Sequence, residues 1–213
     1  MNAPIVRHLS SIGFSFVAIL MLCAGFSNAQ VVERPRVEIV ISVAEQRLAL
    51  VENGVVLRTF PVSTSKFGVG DGVGSFKTPL GRLRVCGKLG GDLPEGAVFR
   101  HRNFSGEVLP ANAPGRDPIV TRILWLEGAE PRNQNARGRC IYIHGTPQER
   151  SIGKATSYGC VRMRSHDVVE VFHAVPMGTP VTIITKKLPR VQKLELSRLM
   201  ALLMEKKSRE GGS

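Results

Sequence analysis

The chain has 213 residues and is basic, with 29 Lys and Arg against 17 Asp and Glu and a formal net charge of +12. Such a balance suits nucleic acid, anionic lipid or another acidic polymer as a partner. Aromatic residues do not interleave with the Lys and Arg residues, which argues against nucleic acid. The length suffices for one full domain with its own core.

The first 29 residues have the pattern of a secretory signal peptide. Arg7 precedes an apolar run over 12–26, and Ser27-Asn28-Ala29 provides the small residues that a signal peptidase reads. A retained membrane anchor is the alternative, but the run is short for a span of ~20 residues. We therefore expect cleavage after Ala29, a location in the periplasm or cell envelope, and membrane contact only through the transient signal peptide. The acidic polymer of that compartment is the bacterial cell wall, whose peptides carry free carboxylates.

The next segment alternates apolar and polar residues with a period of two. This pattern predicts strands over 37–43, 47–51 and 55–62. Asn53-Gly54 between the second and third strands is a strong signal for a tight hairpin turn.

A glycine-rich stretch over 68–74 follows these strands. It contains no G-x-G-x-x-G and no G-K-[ST] after it, and Pro79 leads into a strand, so a phosphate-binding loop is disfavoured. We interpret it as a mobile loop whose glycines permit positive φ, with a flap over a substrate as the functional alternative.

Further short strands separated by Gly- and Pro-rich turns are predicted over 83–86, 98–100, 123–126, 141–144 and 181–185. Many short strands of this kind indicate an all-β sandwich or barrel.

Two helices are predicted towards the C-terminus. The first is short, with Ser165 as its N-cap, Asp167 in its first turn, and Pro176-Met177-Gly178 at its end. Its inward face is predicted to carry Val168, Val169, Val171 and Phe172. A second helix over about 191–207 has an apolar and a basic face. We thus divide the chain into a signal peptide (1–29), one β domain (37–185) and a C-terminal helix with a basic tail (188–213).

The expected mature chain keeps three cysteines, Cys86, Cys140 and Cys160. An odd number leaves at least one thiol unpaired in an oxidising compartment. We expect Cys160 to be the free thiol, with Cys86 and Cys140 either bridged or separately buried.

The segment with the clearest chemistry joins His144-Gly145-Thr146 to Ser157-Tyr158-Gly159-Cys160. A thiol becomes a nucleophile when a neighbouring base takes its proton and backbone N–H groups stabilise an oxyanion. A zinc site built from Cys140, His144 and Cys160 is the rival interpretation. In an unbroken strand Cys140 and His144 would lie roughly 13 Å apart, too far for both to bind one zinc ion. We therefore expect neither a metal nor a cofactor.

The motif Ile143-His144-Gly145-Thr146 with Ser157-Tyr158-Gly159-Cys160-Val161-Arg162 resembles the signature of the L,D-transpeptidase catalytic domain, the YkuD-like family. The resemblance extends over 37–185 and includes the stretches 61–65, 78–81 and 178–181. It implies a β-sandwich-like fold and a cysteine nucleophile. It also implies a donor stem peptide of peptidoglycan, cut between diaminopimelate and D-Ala, and reaction with carbapenem-type inhibitors.

The resemblance also implies roles for individual residues. Cys160, as a thiol of low pKa, would attack the diaminopimelate carbonyl and form a thioester, and His144 would act as general base and then acid. The backbone N–H groups of Tyr158, Gly159 and Cys160 are candidate oxyanion donors, and the carbonyl of Gly145 would orient His144.

Two further positions bear on the mechanism. Arg162 could hold a substrate carboxylate through a forked contact or form a structural ion pair. Many members of the family carry His where this chain has Tyr158, and tyrosine does not titrate near neutral pH. His144 is therefore the only convincing base.

These features favour an exported L,D-transpeptidase that transfers the acyl group to an amine, for cross-linking of the wall or anchoring of a protein. An L,D-carboxypeptidase that uses water as acceptor and a non-catalytic wall-binding module are the alternatives.

Overall fold

The computed structural model describes residues 36–189. The predicted signal peptide (1–29) and the predicted C-terminal helix (191–207) lie outside the described residues. Within the described part, no helix has the length and apolar character needed to cross a membrane.

Three antiparallel strands open the domain, as predicted. They are β1 (Val37–Ser42), β2 (Arg47–Glu52) and β3 (Val55–Pro61). Asn53 and Gly54 both have positive φ, 51° and 80°, which is the conformation of a two-residue hairpin turn matched to the twist of its strands.

The remaining elements follow in chain order. They are β4 (Gly81–Leu89), β5 (Ala97–Arg100), β6 (Asn103–Val108), β7 (Val120–Gly128), β8 (Tyr142–Gly145), β9 (Val161–Met163), α1 (Ser165–Ala174) and β10 (Pro180–Ile184), with single 3₁₀ turns at Pro131–Asn133 and Glu149–Ser151. The sequence did not predict β6, whose side chains are almost all exposed, or β9, which has only three residues.

Ten strands of the described part form one mixed sheet, in the order β3-β2-β1-β10-β4-β7-β5-β6, with β8 beside β7 and β9 beside β8. The β1–β10 and β8–β9 pairs are parallel and the other pairs are antiparallel. The prediction of an all-β fold with one short helix after the cysteine motif is confirmed for these residues.

Helix α1 starts one residue earlier than predicted, because Arg164 and not Ser165 is its N-cap. The Ser165 amide donates to the Glu149 carboxylate (2.8 Å), and its hydroxyl accepts a hydrogen bond from Thr121 Oγ1 (2.8 Å). A carboxylate from another segment thus satisfies one of the free amides of the first turn. Val169 is only half-buried, whereas the other three predicted inward residues are buried.

The apolar core has two parts. The larger cluster joins β1, β2, β3, β4, β7, β8, β9, β10 and α1, and its largest buried side chains include Phe60, Leu124 and Met163. The smaller cluster consists of Phe99, Ile123 and Tyr142, and both Cys140 and Cys160 pack against it. The predicted nucleophile therefore stands at the margin of the smaller cluster.

Candidate active site

The parallel pairing of β8 with β9 brings the His144 and Cys160 segments together. Ile143 lies opposite Val161 and His144 opposite Arg162, and adjacent strands are about 4.8 Å apart. Cys160 immediately precedes β9, and its Sγ accepts a hydrogen bond from the Tyr142 amide (3.4 Å). The segment over 146–159 folds back between the two strands, so that Cys160 lies at the start of the strand that pairs with the strand of His144.

His144 is 5% exposed and is oriented by its own strand. Its Nδ1 lies 2.8 Å from the carbonyl oxygen of Gly145. Because a carbonyl oxygen only accepts, Nδ1 carries the proton and Nε2 keeps its lone pair. Burial lowers the pKa of His144 to about 4, against smaller opposing effects from the Gly145 carbonyl and Asp117. The imidazole is therefore neutral at pH 7, with Nε2 able to take a proton.

The Cys160 thiol is half-buried. Besides accepting from Tyr142, Sγ donates to the carbonyl oxygen of Cys140 (3.4 Å). Burial raises the pKa of Cys160 to about 11, which outweighs the lowering by the Tyr142 amide and by Arg139 and Arg162. The expectation of a low-pKa thiol is thus wrong for the free protein, because the apolar surroundings disfavour the thiolate.

The Cys160 thiol and the His144 imidazole are therefore both neutral at pH 7. Among the described residues, no hydrogen bond joins Cys160 Sγ to the His144 ring. Such bonds are often long before substrate binds and tighten in the reacting complex. Sγ must therefore lose its proton when substrate binds or as the new bond forms.

The turn before Cys160 is held by hydroxyl groups. Ser157 Oγ donates to the Cys160 carbonyl (2.6 Å) and accepts from the Gly159 amide (3.2 Å), and Thr78 Oγ1 donates to the Gly159 carbonyl (3.0 Å). Gly159 has φ +122°, which favours glycine. Of the three candidate oxyanion donors, the Gly159 N–H is engaged, whereas within residues 36–189 the amides of Tyr158 and Cys160 have no acceptor.

Arg162 is 4% exposed and is the centre of a polar network. Its Nη1 donates to the Asp117 carboxylate, and its Nη2 donates to the hydroxyls of Ser63 (3.1 Å), Ser151 (3.2 Å) and Thr156. A forked contact with a substrate carboxylate does not fit this arrangement, because both terminal nitrogens already have internal partners. The alternative interpretation, a structural ion pair, agrees with the contact between Arg162 and Asp117.

Asp117 is a residue of this site that sequence reasoning missed. It pairs with Arg162, and it also accepts a hydrogen bond from Thr146 Oγ1, two residues beyond His144. Arg162 and Thr146 are 45 and 29 residues away from Asp117, and no local sequence pattern predicts such a pairing.

The three cysteines of the described part are all free and half-buried. The bridge between Cys86 and Cys140 is therefore wrong, and the two residues are separate, as in the second alternative, but only half-buried. Cys140 has φ +56°, so the strand is interrupted before Tyr142, and the distance argument against a shared zinc ion does not apply. Within residues 36–189, no group of three or more His, Cys, Asp or Glu side chains is placed to hold a metal ion.

Cys160 opens into a cavity of about 490 Å³. Val73 and Phe76 from the glycine-rich loop and its continuation line it together with Tyr158 and Arg139. Arg139 is tied to Asp71 by an ion pair of 2.8 Å. The loop over 68–74 thus borders the cavity into which the thiol opens.

The fold and the His–Cys pair can now be compared with known proteins. Residues 36–183 match the family model YkuD, described as the L,D-transpeptidase catalytic domain. The chain therefore belongs to this family, as the resemblance of the motifs predicts.

Individual relatives include "Putative L,D-transpeptidase YqjB" of Bacillus subtilis, 30% identical over 145 residues that cover 68% of this chain and 69% of the relative. "Probable L,D-transpeptidase YbiS" of Escherichia coli K12 is 32% identical over 152 residues, 68% of this chain but only 44% of the relative. Among solved structures, LdtMt1 in complex with imipenem is similar at 21% identity and a TM-score of 0.45, with 70% of this chain and 59% of that chain covered.

Proposed function

We propose that this protein is an exported, cysteine-dependent L,D-transpeptidase that acts on peptidoglycan stem peptides. One observation carries the proposal: Cys160 opens into a cavity and immediately precedes β9, the strand that pairs with the strand of His144, whose Nε2 is neutral and unprotonated. Membership of the L,D-transpeptidase family supports the same chemistry. The basic composition fits a wall polymer whose peptides carry carboxylates.

The first half-reaction forms a thioester. His144 Nε2 takes the proton from Cys160 as Sγ attacks the diaminopimelate carbonyl, and the free amides of Tyr158 and Cys160 stabilise the oxyanion. Collapse of the tetrahedral intermediate breaks the bond to D-Ala, and the imidazolium returns its proton to the leaving amine.

The second half-reaction repeats these steps in reverse with a new nucleophile. His144 Nε2 deprotonates an acceptor amine, which attacks the thioester, and Cys160 leaves and regains the proton. An amine from a second stem peptide yields a cross-link between two peptides, and an amine from a protein anchors that protein to the wall. Water in the same place gives an L,D-carboxypeptidase.

Mass spectrometry of disaccharide-peptide fragments incubated with the purified protein tests the proposal. Fragments joined by a new amide bond with loss of D-Ala are the expected product, and simple loss of D-Ala would identify a carboxypeptidase. The Cys160→Ala variant is the control and should form neither product. Unchanged fragments with the wild-type protein would contradict an enzymatic function and favour a wall-binding module.

The thioester step can be tested separately with a carbapenem. Ring opening by Cys160 should raise the intact mass by one inhibitor, and Cys160→Ala should show no shift. An adduct that persists in the variant would place the nucleophile elsewhere.

A further inference from the structure

Three aromatic side chains form an exposed cluster at the mouth of the cavity. Phe67, Phe76 and Tyr158 are 44%, 54% and 63% exposed, and their ring centroids lie 5.5 to 6.0 Å from one another. Aromatic rings that contact one another while facing solvent mark a binding surface more often than isolated exposed residues do. Phe76 and Tyr158 also line the cavity that contains Cys160.

Lys66 places a positive charge within this cluster. Its Nζ donates to Tyr158 Oη (2.9 Å) and lies 4.3 Å from the centre of the Tyr158 ring and 5.2 Å from that of Phe67. In the described part of the chain, Lys66 belongs to no ion pair. A hydroxyl and two rings orient an ammonium group without neutralising it, and two of its three N–H donors stay available.

The backbone fixes Lys66 relative to the nucleophile. The Lys66 amide donates to the Ser157 carbonyl (3.1 Å), and the Ser157 amide donates to the Thr64 carbonyl (2.9 Å). Tyr158, the partner of the Lys66 ammonium, is two residues before Cys160 in the same turn. Lys66 is therefore attached to the turn that carries Cys160, through both its main chain and its side chain.

The two arginines that lower the pKa of Cys160 are already occupied. Arg162 is paired with Asp117, and Arg139 with Asp71, and both guanidinium groups are almost fully buried, at 5% and 8% exposure. A stem peptide brings carboxylates into the cavity and needs a cation at its rim. Lys66 is exposed, oriented and unpaired within residues 36–189, and thus has the properties that Arg162 lacks.

We propose that Lys66, oriented by Tyr158, binds a carboxylate of the donor peptide and makes the site selective for anionic donors. This inference rests on the proposed function, since it names the group through which the same site recognises its substrate. The ammonium would form charge-assisted hydrogen bonds to the carboxylate while the aromatic cluster contacts the apolar parts of the peptide.

The test measures binding in a Cys160→Ala background, where no turnover occurs. A stem tetrapeptide with free carboxylates is titrated by calorimetry into Cys160→Ala and into Cys160→Ala with Lys66→Met. We expect the second variant to bind about 10-fold more weakly or worse, the usual effect of losing a hydrogen bond to a charged group. Lys66→Arg should restore most of the affinity. Lys154→Met removes an exposed charge that forms no ion pair or side-chain hydrogen bond within the described residues, and it should leave the affinity unchanged.

Peptides amidated at one carboxylate at a time identify the group that is bound. One amidated peptide should bind equally with and without Lys66, while the others should still discriminate. The proposal is overturned if Lys66→Met leaves all dissociation constants within about twofold, or if it weakens every amidated peptide to the same extent.

The same proteins separate this proposal from the proposed function. Wild-type turnover together with a KM that does not respond to Lys66→Met would overturn the carboxylate contact alone. Binding that depends on Lys66, without any turnover by the wild-type protein, would overturn the transpeptidase function and leave the carboxylate contact intact.

Discussion

The two sides of the Cys160 turn differ in how they use their polar and aromatic groups. On the inner side, the buried Arg162 guanidinium is bonded to the Asp117 carboxylate and to the hydroxyls around it. On the outer side, Lys66 and the aromatic cluster are exposed, and the ammonium has no acidic partner among the described residues. The inner side therefore fixes the geometry of the catalytic strands, and the outer side is free to bind a ligand.

The largest expected effect is that of replacing the base, His144. His144→Gln keeps a buried side chain of similar size but removes the base, so we expect acylation to fall by about 10²–10⁴-fold, the range for a lost general base. Stopped-flow or mass-resolved acylation by a carbapenem measures this rate. A variant that keeps its unfolding transition but reacts at the wild-type rate would show that His144 is not the base.

The inner network should dominate stability. Asp117→Asn leaves the buried Arg162 guanidinium without its counter-charge, and we expect a loss of about 3 kcal/mol in the free energy of unfolding. Urea titration monitored by circular dichroism measures the change. The matched control is Glu170→Gln, which breaks the exposed Arg58–Glu170 pair and should cost less than about 1 kcal/mol. Equal losses in the two variants would contradict the distinction between the two sides.

How well the sequence predicts these regions depends on whether the signal is local. Strands β1–β3 are predicted because their alternating residues lie in one continuous stretch and Asn53-Gly54 marks the turn between β2 and β3. Strand β9 is missed because Val161–Met163 is too short to show a period, although it positions Cys160. Strands β8 and β9 are separated in the sequence, and no local pattern predicts that they pair.

The residues of the candidate site also differ in whether their sequence signal is local. Cys160 and His144 are recognisable because each lies in a short motif of its own, whereas the pairing of Asp117 with Arg162 joins residues 45 positions apart. The pKa of Cys160 was expected in the wrong direction because it depends on burial against Phe99, Ile123 and Tyr142, which come from three different strands. Residue type gives the chemistry of a group, and tertiary packing sets its protonation.

A smaller effect concerns the acid side of the stability curve. Burial lowers the pKa of His144 from 6.5 to about 4, so between these pH values the unfolded chain binds a proton that the folded chain does not. Stability from this group is complete above pH 6.5 and is lost as the pH falls towards 4, by up to about 3 kcal/mol. Urea midpoints between pH 7.5 and 4 should therefore fall more steeply for the wild-type protein than for His144→Gln. Parallel curves would mean that His144 does not titrate differently on folding.

The smallest expected effect is that of a variant which alters the outer side of the Cys160 turn and keeps both His144 and Cys160. Tyr158→Phe keeps the ring in the aromatic cluster but removes the hydroxyl that accepts from Lys66 Nζ. Because Tyr158 is 63% exposed, we expect the free energy of unfolding to change by less than about 0.5 kcal/mol. The loss of one exposed hydrogen bond should raise the donor KM by about 2- to 5-fold and leave kcat unchanged. Steady-state kinetics with a stem tetrapeptide measures both constants. A fall in kcat as large as that of His144→Gln would mean that the Tyr158 hydroxyl takes part in proton transfer, and the assignment of His144 as the only base would then be wrong.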